Sequence, residues 1–173
     1  TRWFTLFRGK PRSPPWGNCT PGEQLQIDFA NATKVVRPTL GNEAPIALFR
    51  LVRLILLEDM FGVSSTAQAY LSGRHLGYSL GLKDLSQFVE LCEQLKIGVI
   101  KTGENDKGQL HIDVYECVTC SGMEPVGRTL CSFEGGLIAG VAEGIFKNKV
   151  NVREVTCIGG LGHESCGFDV IQK

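Results

Sequence analysis

The chain has 173 residues, of which 43% are hydrophobic, and its 18 lysines and arginines balance 18 aspartates and glutamates. That length suits one domain with a hydrophobic core of its own. The balanced charge argues against a nucleic-acid-binding surface, which needs a basic excess, and no apolar run reaches the roughly 20 residues of a membrane span.

The cysteine count points to a reducing environment. There are seven cysteines, an odd number, and the N-terminal residues lack the pattern of a secretory signal peptide. We therefore expect a cytoplasmic protein whose thiols are free or bound to metal, and not a disulfide framework.

Residues 1–34 are predicted to form an N-terminal arm followed by a short strand. Basic and aromatic side chains interleave over the first 22 residues, and Pro11, Pro14 and Pro15 exclude a helix there. Residues 24–30, QLQIDFA, alternate as a strand does. The arm either packs over the domain or a second copy, or docks onto a partner or an anionic surface. Its few basic residues favour packing.

Three helices are predicted next. The first covers about residues 43–61, ends at Gly62, and has an apolar stripe wide enough to predict that it is largely buried. The second covers about residues 64–82. The third covers about residues 84–96 and begins at a capping Asp84 or Ser86.

Glycines recur every four residues in the second helix and in a later helix predicted over residues 129–146. Each glycine costs about 1 kcal/mol relative to alanine in a helix, so close approach of another backbone must offset the cost. The pattern predicts tight packing of the later helix on a sheet. A symmetric dimer contact and a floor for a flat ligand are the alternatives. The two stripes are Gly73, Gly77, Gly81 and Gly136, Gly140, Gly144.

Two hairpins flank the later helix. The first pairs residues 97–102 with 110–117, and the second pairs residues 150–157 with 166–171. Three helices, a hairpin, a helix and a hairpin predict an α+β domain. Its antiparallel sheet has about four strands, packed against about four helices.

Five of the cysteines fall between Cys117 and Cys166, and the spacing there predicts one metal site. Zinc takes about four N, S or O ligands in a tetrahedron. Two cysteines flank the turn of the second hairpin, and a third lies in the first turn of the helix that must pack on it, where a thiol pKa is lowered. The predicted ligands are Cys131, Glu154, Cys157 and Cys166.

The glutamate sets a condition on this site. Glu154 precedes Cys157 by three residues, and in a regular strand the two side chains would point to opposite faces. The hypothesis therefore requires a bulge or a strand end between them.

Cys117 and Cys120 leave alternatives open. A C-x-x-C pair occurs in zinc knuckles and in redox-active dithiols. Here it follows a hairpin and enters a loop with glycines and proline, which is unlike the setting of redox enzymes. The pair competes as a ligand set for the metal, and inert buried thiols are the remaining interpretation.

These residues resemble the 4-vinyl reductase domain family over about residues 35–171, so we expect one such domain over residues 35–173. The resemblance implies the TRAPP-like, NO-signalling ligand-binding fold, shared by vesicle-tethering subunits and phenol-responsive sensor domains. In those sensors three cysteines and one glutamate hold zinc, at positions that match the four ligands above. The motifs that carry the resemblance are ECVTCSGM at 116–123, Gly127, Arg128, Cys131, Phe133, Glu134, Gly135, Gly136, Ala139, Gly140, Val152, Glu154, Cys157, Gly162, Cys166 and Phe168.

The resemblance implies a binding function more than an enzymatic one. We expect a zinc-stabilised sensor or carrier domain for a hydrophobic ligand such as a tetrapyrrole, working as a homodimer. The sensors' pocket tryptophan has no counterpart after Trp16, which argues against phenol. The pocket is expected between the helices of residues 46–82 and the sheet, lined by Phe49, Phe61, Tyr70, Tyr78 and Leu110.

Two other functions stay open. One is an accessory factor or enzyme in 4-vinyl reduction of chlorophyll precursors, although the chain has no nicotinamide or flavin fingerprint. The other is a dimeric scaffold that binds no ligand.

Overall fold

A computed structural model describes residues 32–172, so the predicted arm and the strand at residues 24–30 lie outside the described residues. The first helix, α1, covers residues 46–61 and is α-helical over Ile46–Arg50, π-helical over Leu51–Leu56 and α-helical over Leu57–Phe61. The other elements are α2 (Ser65–Ser79), α3 (Leu85–Gln94), β1 (Val99–Glu104), β2 (Leu110–Tyr115), α4 (Ser132–Phe146), β3 (Val150–Glu154), α5 (Ile158–Leu161) and β4 (Cys166–Gln172).

The four strands form one antiparallel sheet in the order β1-β2-β4-β3. Alternation along β2 and β4 places one set of side chains inward, where Ile112 pairs with Phe168 across the two strands. Both side chains are fully buried, and Val114 lies beside them. The predicted α+β class with a four-stranded antiparallel sheet is confirmed.

Helix α4 lies at the centre of the domain. Every residue from Glu134 to Glu143 is buried, as expected of a helix that is apolar on all sides. One side of α4 faces the sheet, and the other packs against α2 along most of its length. The core is therefore a stack of sheet, α4 and α2.

Glycines allow α2 and α4 to approach this closely. A Cβ atom on Gly136 would lie 2.0 Å from the carbonyl oxygen of Tyr70, and one on Gly73 would lie 2.2 Å from the carbonyl oxygen of Phe133. Close backbone approach was predicted, but the partner of the α4 stripe is α2. The expected packing of this stripe on the sheet is wrong, because the sheet contacts a different side of α4. Gly144 has open space around it and takes no part.

Helix α1 departs most from expectation. It ends at Gly62 in a positive-φ conformation, as predicted, but none of its residues is buried. Its hydrogen bonds to the rest of the domain are polar, since the Arg50 guanidinium donates to the carbonyl oxygens of Val118 (2.9 Å) and Ser121 (2.7 Å). The prediction of a largely buried helix is wrong, because among residues 32–172 no second layer covers the apolar side chains of α1.

Helix α3 follows its sequence signals. The Asp84 carboxylate accepts a hydrogen bond from the backbone N–H of Gln87 at 3.0 Å, which satisfies one of the free donors at a helix start. Phe88, Leu91 and Cys92 face the core as predicted. Across residues 32–172, no helix has both the length and the apolar character needed to cross a membrane.

Candidate metal centre

Five cysteines meet where the ends of four segments converge beside the sheet. Cys117 and Cys120 lie in the turn after β2, in which the N–H of Cys120 donates to the carbonyl of Cys117 at 3.2 Å. Cys131 is the residue at the N-cap position of α4, Cys157 precedes α5, and Cys166 begins β4. All five side chains are 0% exposed.

The sulfurs lie close together. Cys131 Sγ is 3.6 Å from both Cys117 Sγ and Cys166 Sγ. Cys120 Sγ lies 3.4 Å from Cys131 Sγ, 3.3 Å from Cys166 Sγ and 3.9 Å from Cys157 Sγ. The structure thus adds Cys117 and Cys120 to a cluster from which the sequence interpretation had set them apart.

Glu154 reaches the same cluster from the end of β3. Regular pairing stops at this residue, and α5 begins at Ile158, so the strand end required by the hypothesis is present. Its Oε2 atom accepts a hydrogen bond from the N–H of Cys131 at 2.9 Å. Its Oε1 atom is buried without a partner among the described residues.

The four predicted ligands come together. One donor atom from each of Cys131, Glu154, Cys157 and Cys166 lies within 4.8 Å of the other three, and the same holds for the set Cys117, Cys120, Cys131 and Cys166. Two overlapping groups therefore fit one metal ion each, and they share two cysteines. The orphaned Glu154 oxygen is the kind of buried acceptor that a cation would satisfy. The identity of the metal and its ligands stays a prediction.

Burial and crowding shift the acidities in this cluster. Burial, and after it the contact with the Cys157 thiol, raise the pKa of Glu154 to about 9. Hydrogen bonds from the Cys120 and Cys131 thiols hold the pKa of Cys117 far below the usual thiol range. The Cys131 thiol has its pKa raised by Cys117 and Cys120. In effect these thiols share protons, which a metal cation would replace.

A second buried carboxylate lies beside the cluster. Glu134, in the first turn of α4, accepts a hydrogen bond from the hydroxyl of Thr119, the residue just before Cys120. Burial raises the pKa of Glu134, and its other oxygen has no partner in the described part of the chain. The sequence quoted Glu134 only as part of a family motif. A charged residue within an apolar glycine-rich helix was the signal for its role.

Cys92 gives a contrast. It is buried in α3, away from the other sulfurs, and burial raises its pKa to about 12. This is the chemistry expected of an inert core thiol.

A cleft of about 490 Å³ opens beside the metal centre. Tyr70 of α2 lines it, with the start of α4 and the strand residues Asn151–Glu154. The Tyr70 hydroxyl accepts a hydrogen bond from the N–H of Val152 at 3.2 Å. Because Cys131 and Glu154 also line this cleft, one edge of the cysteine cluster borders it.

The predicted ligand-pocket residues are dispersed. Tyr70 lines the cleft, whereas Phe49 and Phe61 lie exposed on α1. Tyr78 lies at the far end of α2, and Leu110 packs against the core from the start of β2. Among the described residues these five side chains do not meet in one cavity.

One histidine acquires partners that the sequence did not reveal. His111 Nδ1 lies 2.7 Å from an Asp169 carboxylate oxygen on the neighbouring strand. Asp113 accepts a hydrogen bond from the Ser165 hydroxyl at 2.6 Å, and its carboxylate is 3.6 Å from His111 Nε2. This polar group lies on the sheet face opposite α4.

Comparison with known proteins places these features in a family. A family model of the 4-vinyl reductase domain matches residues 110–172. The uncharacterized proteins MJ1642 and MJ0150 of Methanocaldococcus jannaschii are each 33% identical to this chain, over 132 and 136 residues. These alignments cover 76% and 75% of this chain and 80% and 77% of the relatives.

Solved structures share the fold. A vinyl-4-reductase family protein from Methanocaldococcus jannaschii aligns with a TM-score of 0.57 at 22% identity, over 78% of this chain and 85% of that one. The phenol-responsive sensory domain of the transcription activator PoxR, with phenol, aligns at 0.54 and 14% identity, over 75% of each chain. Subunit 3 of a trafficking protein particle complex from Naegleria fowleri, covalently bound to palmitic acid, aligns at 0.53 and 16%, over 74% and 95%.

The predicted TRAPP-like architecture is thus confirmed at the level of fold. Identity of 33% over most of both chains, with a domain match over the cysteine-bearing half, shows that this chain belongs to the 4-vinyl reductase domain family.

Proposed function

We propose that this chain is a metal-stabilised domain that binds a hydrophobic small molecule, as a sensor or carrier. The observation that carries the proposal is the apolar surface of α1. Exposed surfaces of this kind mark ligand-binding or protein-binding sites. The exposed apolar side chains of α1 are Ile46, Leu48, Phe49, Leu51, Val52, Ile55, Leu56, Met60 and Phe61.

The fold neighbours support a hydrophobic ligand. PoxR's sensory domain is described with phenol, and the trafficking subunit with covalently bound palmitic acid; both ligands have an apolar body. The cleft beside Tyr70 suits such a ligand less well, because Thr129, Ser132, Asn151 and Arg153 make its lining polar. We therefore place the ligand at α1, and a tetrapyrrole is the first class to test.

We propose that the metal is Zn²⁺, held by Cys131, Glu154, Cys157 and Cys166. Four protein ligands leave no open coordination position, which is typical of a structural zinc. In this chain it would tie the start of α4 to the β3–β4 connection. Elemental analysis tests the site: one zinc per wild-type chain and its loss in Cys157→Ser are expected. Equal zinc in both proteins would refute the ligand set.

The ligand proposal is tested by titrating protoporphyrin IX and, separately, palmitic acid into the full chain, followed by fluorescence and native mass spectrometry. Replacing Ile55 by aspartate removes apolar contact from the middle of α1. We expect Ile55→Asp to weaken binding by about tenfold or more, which corresponds to roughly 1.4 kcal/mol.

Val99→Asp is the matched control, because Val99 is a similarly exposed apolar residue on β1. It should bind as the wild type does. If neither probe binds, or if both variants weaken binding equally, the α1 ligand site is wrong.

Self-association is the second candidate for α1, since a homodimer would cover the same apolar residues. The native mass spectrum distinguishes the two. A dimer that Ile55→Asp converts to monomer, with no probe bound at any stage, would favour the scaffold function.

A further inference from the structure

The sulfur of Cys120 occupies a special position among the five thiols. It lies 3.4 Å from Cys131 Sγ, 3.3 Å from Cys166 Sγ and 3.9 Å from Cys157 Sγ. It therefore touches all three cysteines of the proposed zinc site. Spacing along the chain did not point to this contact, because Cys120 lies 37 residues before Cys157.

These distances match a tetrahedron of thiolates. With zinc–sulfur bonds of about 2.3 Å, the edge of a regular tetrahedron is about 3.8 Å. Cys131 Sγ and Cys166 Sγ are 3.6 Å apart, and Cys157 Sγ is within 4.8 Å of both. Four of the six edges among these four cysteines thus measure 3.3–3.9 Å.

Cys120 and Glu154 are therefore rivals for one coordination position. The three other cysteines complete a tetrahedron with either of them. Thiolate is the softer ligand and suits zinc at least as well as carboxylate does. Glu154 has a second task, since its Oε2 atom accepts the N–H of Cys131 at 2.9 Å.

The surroundings of the two rivals differ. Cys120 is held in a packed turn: a Cβ atom on Gly159 would lie 2.4 Å from the Cys120 carbonyl oxygen, so α5 presses directly on this backbone. Glu154 lines the cleft of about 490 Å³. One rival is fixed inside the domain, and the other lies where a small molecule could reach it.

We propose that the metal has an exchangeable fourth ligand, in which Cys120 replaces Glu154 and completes a four-cysteine site. This inference rests on the metal site of the proposed function and refines it. With Cys120 bound, the metal keeps four protein ligands while Glu154 is free to contact an occupant of the cleft. The glutamate then couples the cleft to the metal centre without releasing the ion.

The test is zinc K-edge X-ray absorption, which distinguishes sulfur at about 2.3 Å from oxygen at about 2.0–2.2 Å. In Glu154→Gln we expect one zinc per chain with four sulfurs. In Cys120→Ser we expect one zinc with three sulfurs and one oxygen. The double variant, which lacks both rivals, should lose zinc to a chelator that the single variants resist.

Two cysteines serve as controls. Cys117→Ser changes a thiol in the same turn, and Cys92→Ser changes a buried thiol in α3; both should keep the wild-type sulfur count. Loss of a sulfur in Cys117→Ser, with none in Cys120→Ser, would assign the position to Cys117 and overturn the proposal.

The outcomes also separate this proposal from the metal site itself. If the wild type holds no zinc, the metal site of the proposed function fails. If the wild type holds zinc but Glu154→Gln loses it or gains no fourth sulfur, the exchange alone is wrong. Cobalt substitution gives a second readout, because the sulfur-to-cobalt charge-transfer intensity rises with each bound thiolate.

Discussion

Helices α1 and α4 have similar lengths and similarly apolar sequences, yet they lie at opposite extremes of burial. Residues 134–143 of α4 are all buried, whereas α1 has no buried residue. Helix α4 is enclosed by the sheet and by α2, which its glycines admit to backbone contact. Helix α1 is tied to the domain through polar groups. An apolar helix needs a partner, but its composition does not say whether the same chain supplies one.

The sharpest test of the α2–α4 contact is one methyl group. Gly136→Ala places a Cβ atom 2.0 Å from the Tyr70 carbonyl oxygen, and a backbone cannot move aside as a side chain can. We expect a loss of more than about 4 kcal/mol in the free energy of unfolding, measured by urea denaturation.

Gly144→Ala is the matched control in the same helix, because nothing lies within 4 Å of its added Cβ. It should stabilise the protein by up to about 1 kcal/mol through helix propensity. Equal effects of the two substitutions would contradict the close packing of α2 on α4.

A second pair compares the two helices directly. Ile138 in α4 is 2% exposed, and Ile55 in α1 is 56% exposed. Ile138→Ala should cost about 2–5 kcal/mol, since it leaves a cavity in the core. Ile55→Ala should stay within about 0.5 kcal/mol of the wild type at concentrations where the chain is a monomer.

Thermal or urea unfolding over a dilution series measures both variants. A loss for Ile55→Ala that approaches that of Ile138→Ala, and that persists on dilution, would show that α1 is buried within its own chain after all.

The polar attachment of α1 can be broken by itself. Arg50→Lys keeps the charge but removes one of the two guanidinium hydrogen bonds to the Val118 and Ser121 carbonyls. We expect the opening free energy of α1 to fall by about 1–3 kcal/mol, read as faster amide hydrogen exchange in residues 46–61. Arg153→Lys, on an exposed strand position, should leave this exchange unchanged. Unaltered exchange in Arg50→Lys would mean that other contacts hold α1.

The smallest effect concerns the cap of α3. Hydrogen bonds from the Ser86 hydroxyl and the Gln87 N–H lower the pKa of Asp84 below its usual 3.8. A lowered carboxyl pKa stabilises the folded state above the unfolded value, and the benefit is lost as the pH falls through the folded value. Asp84→Ala should therefore lower the melting temperature slightly at neutral pH, and the difference should shrink in acid.

Asp106→Ala, in the exposed β1–β2 turn, is the control for the cap and should have little effect at either pH. A difference between Asp84→Ala and the wild type that grows in acid would contradict the cap assignment.

Part of the cysteine cluster was predictable from sequence. Cys131, Glu154, Cys157 and Cys166 were predicted to converge because a helix start, a strand end and a hairpin must pack together. Cys120 was left out because the turn after β2 folds back over the start of α4, and this contact joins segments far apart in the chain. The C-x-x-C spacing was the available signal, but it is equally typical of redox dithiols.

By itself, the sequence determined the helices and strands, the α+β class, the helix-start and helix-end signals at Asp84 and Gly62, and the presence of glycine stripes. Each of these depends on local geometry or side-chain periodicity. Only the tertiary structure decided that the stripes of α2 and α4 face each other, that α1 stays uncovered and that five thiols share one site. Those outcomes depend on which surfaces compete for the same partner, and that competition is settled by the packing of the whole chain.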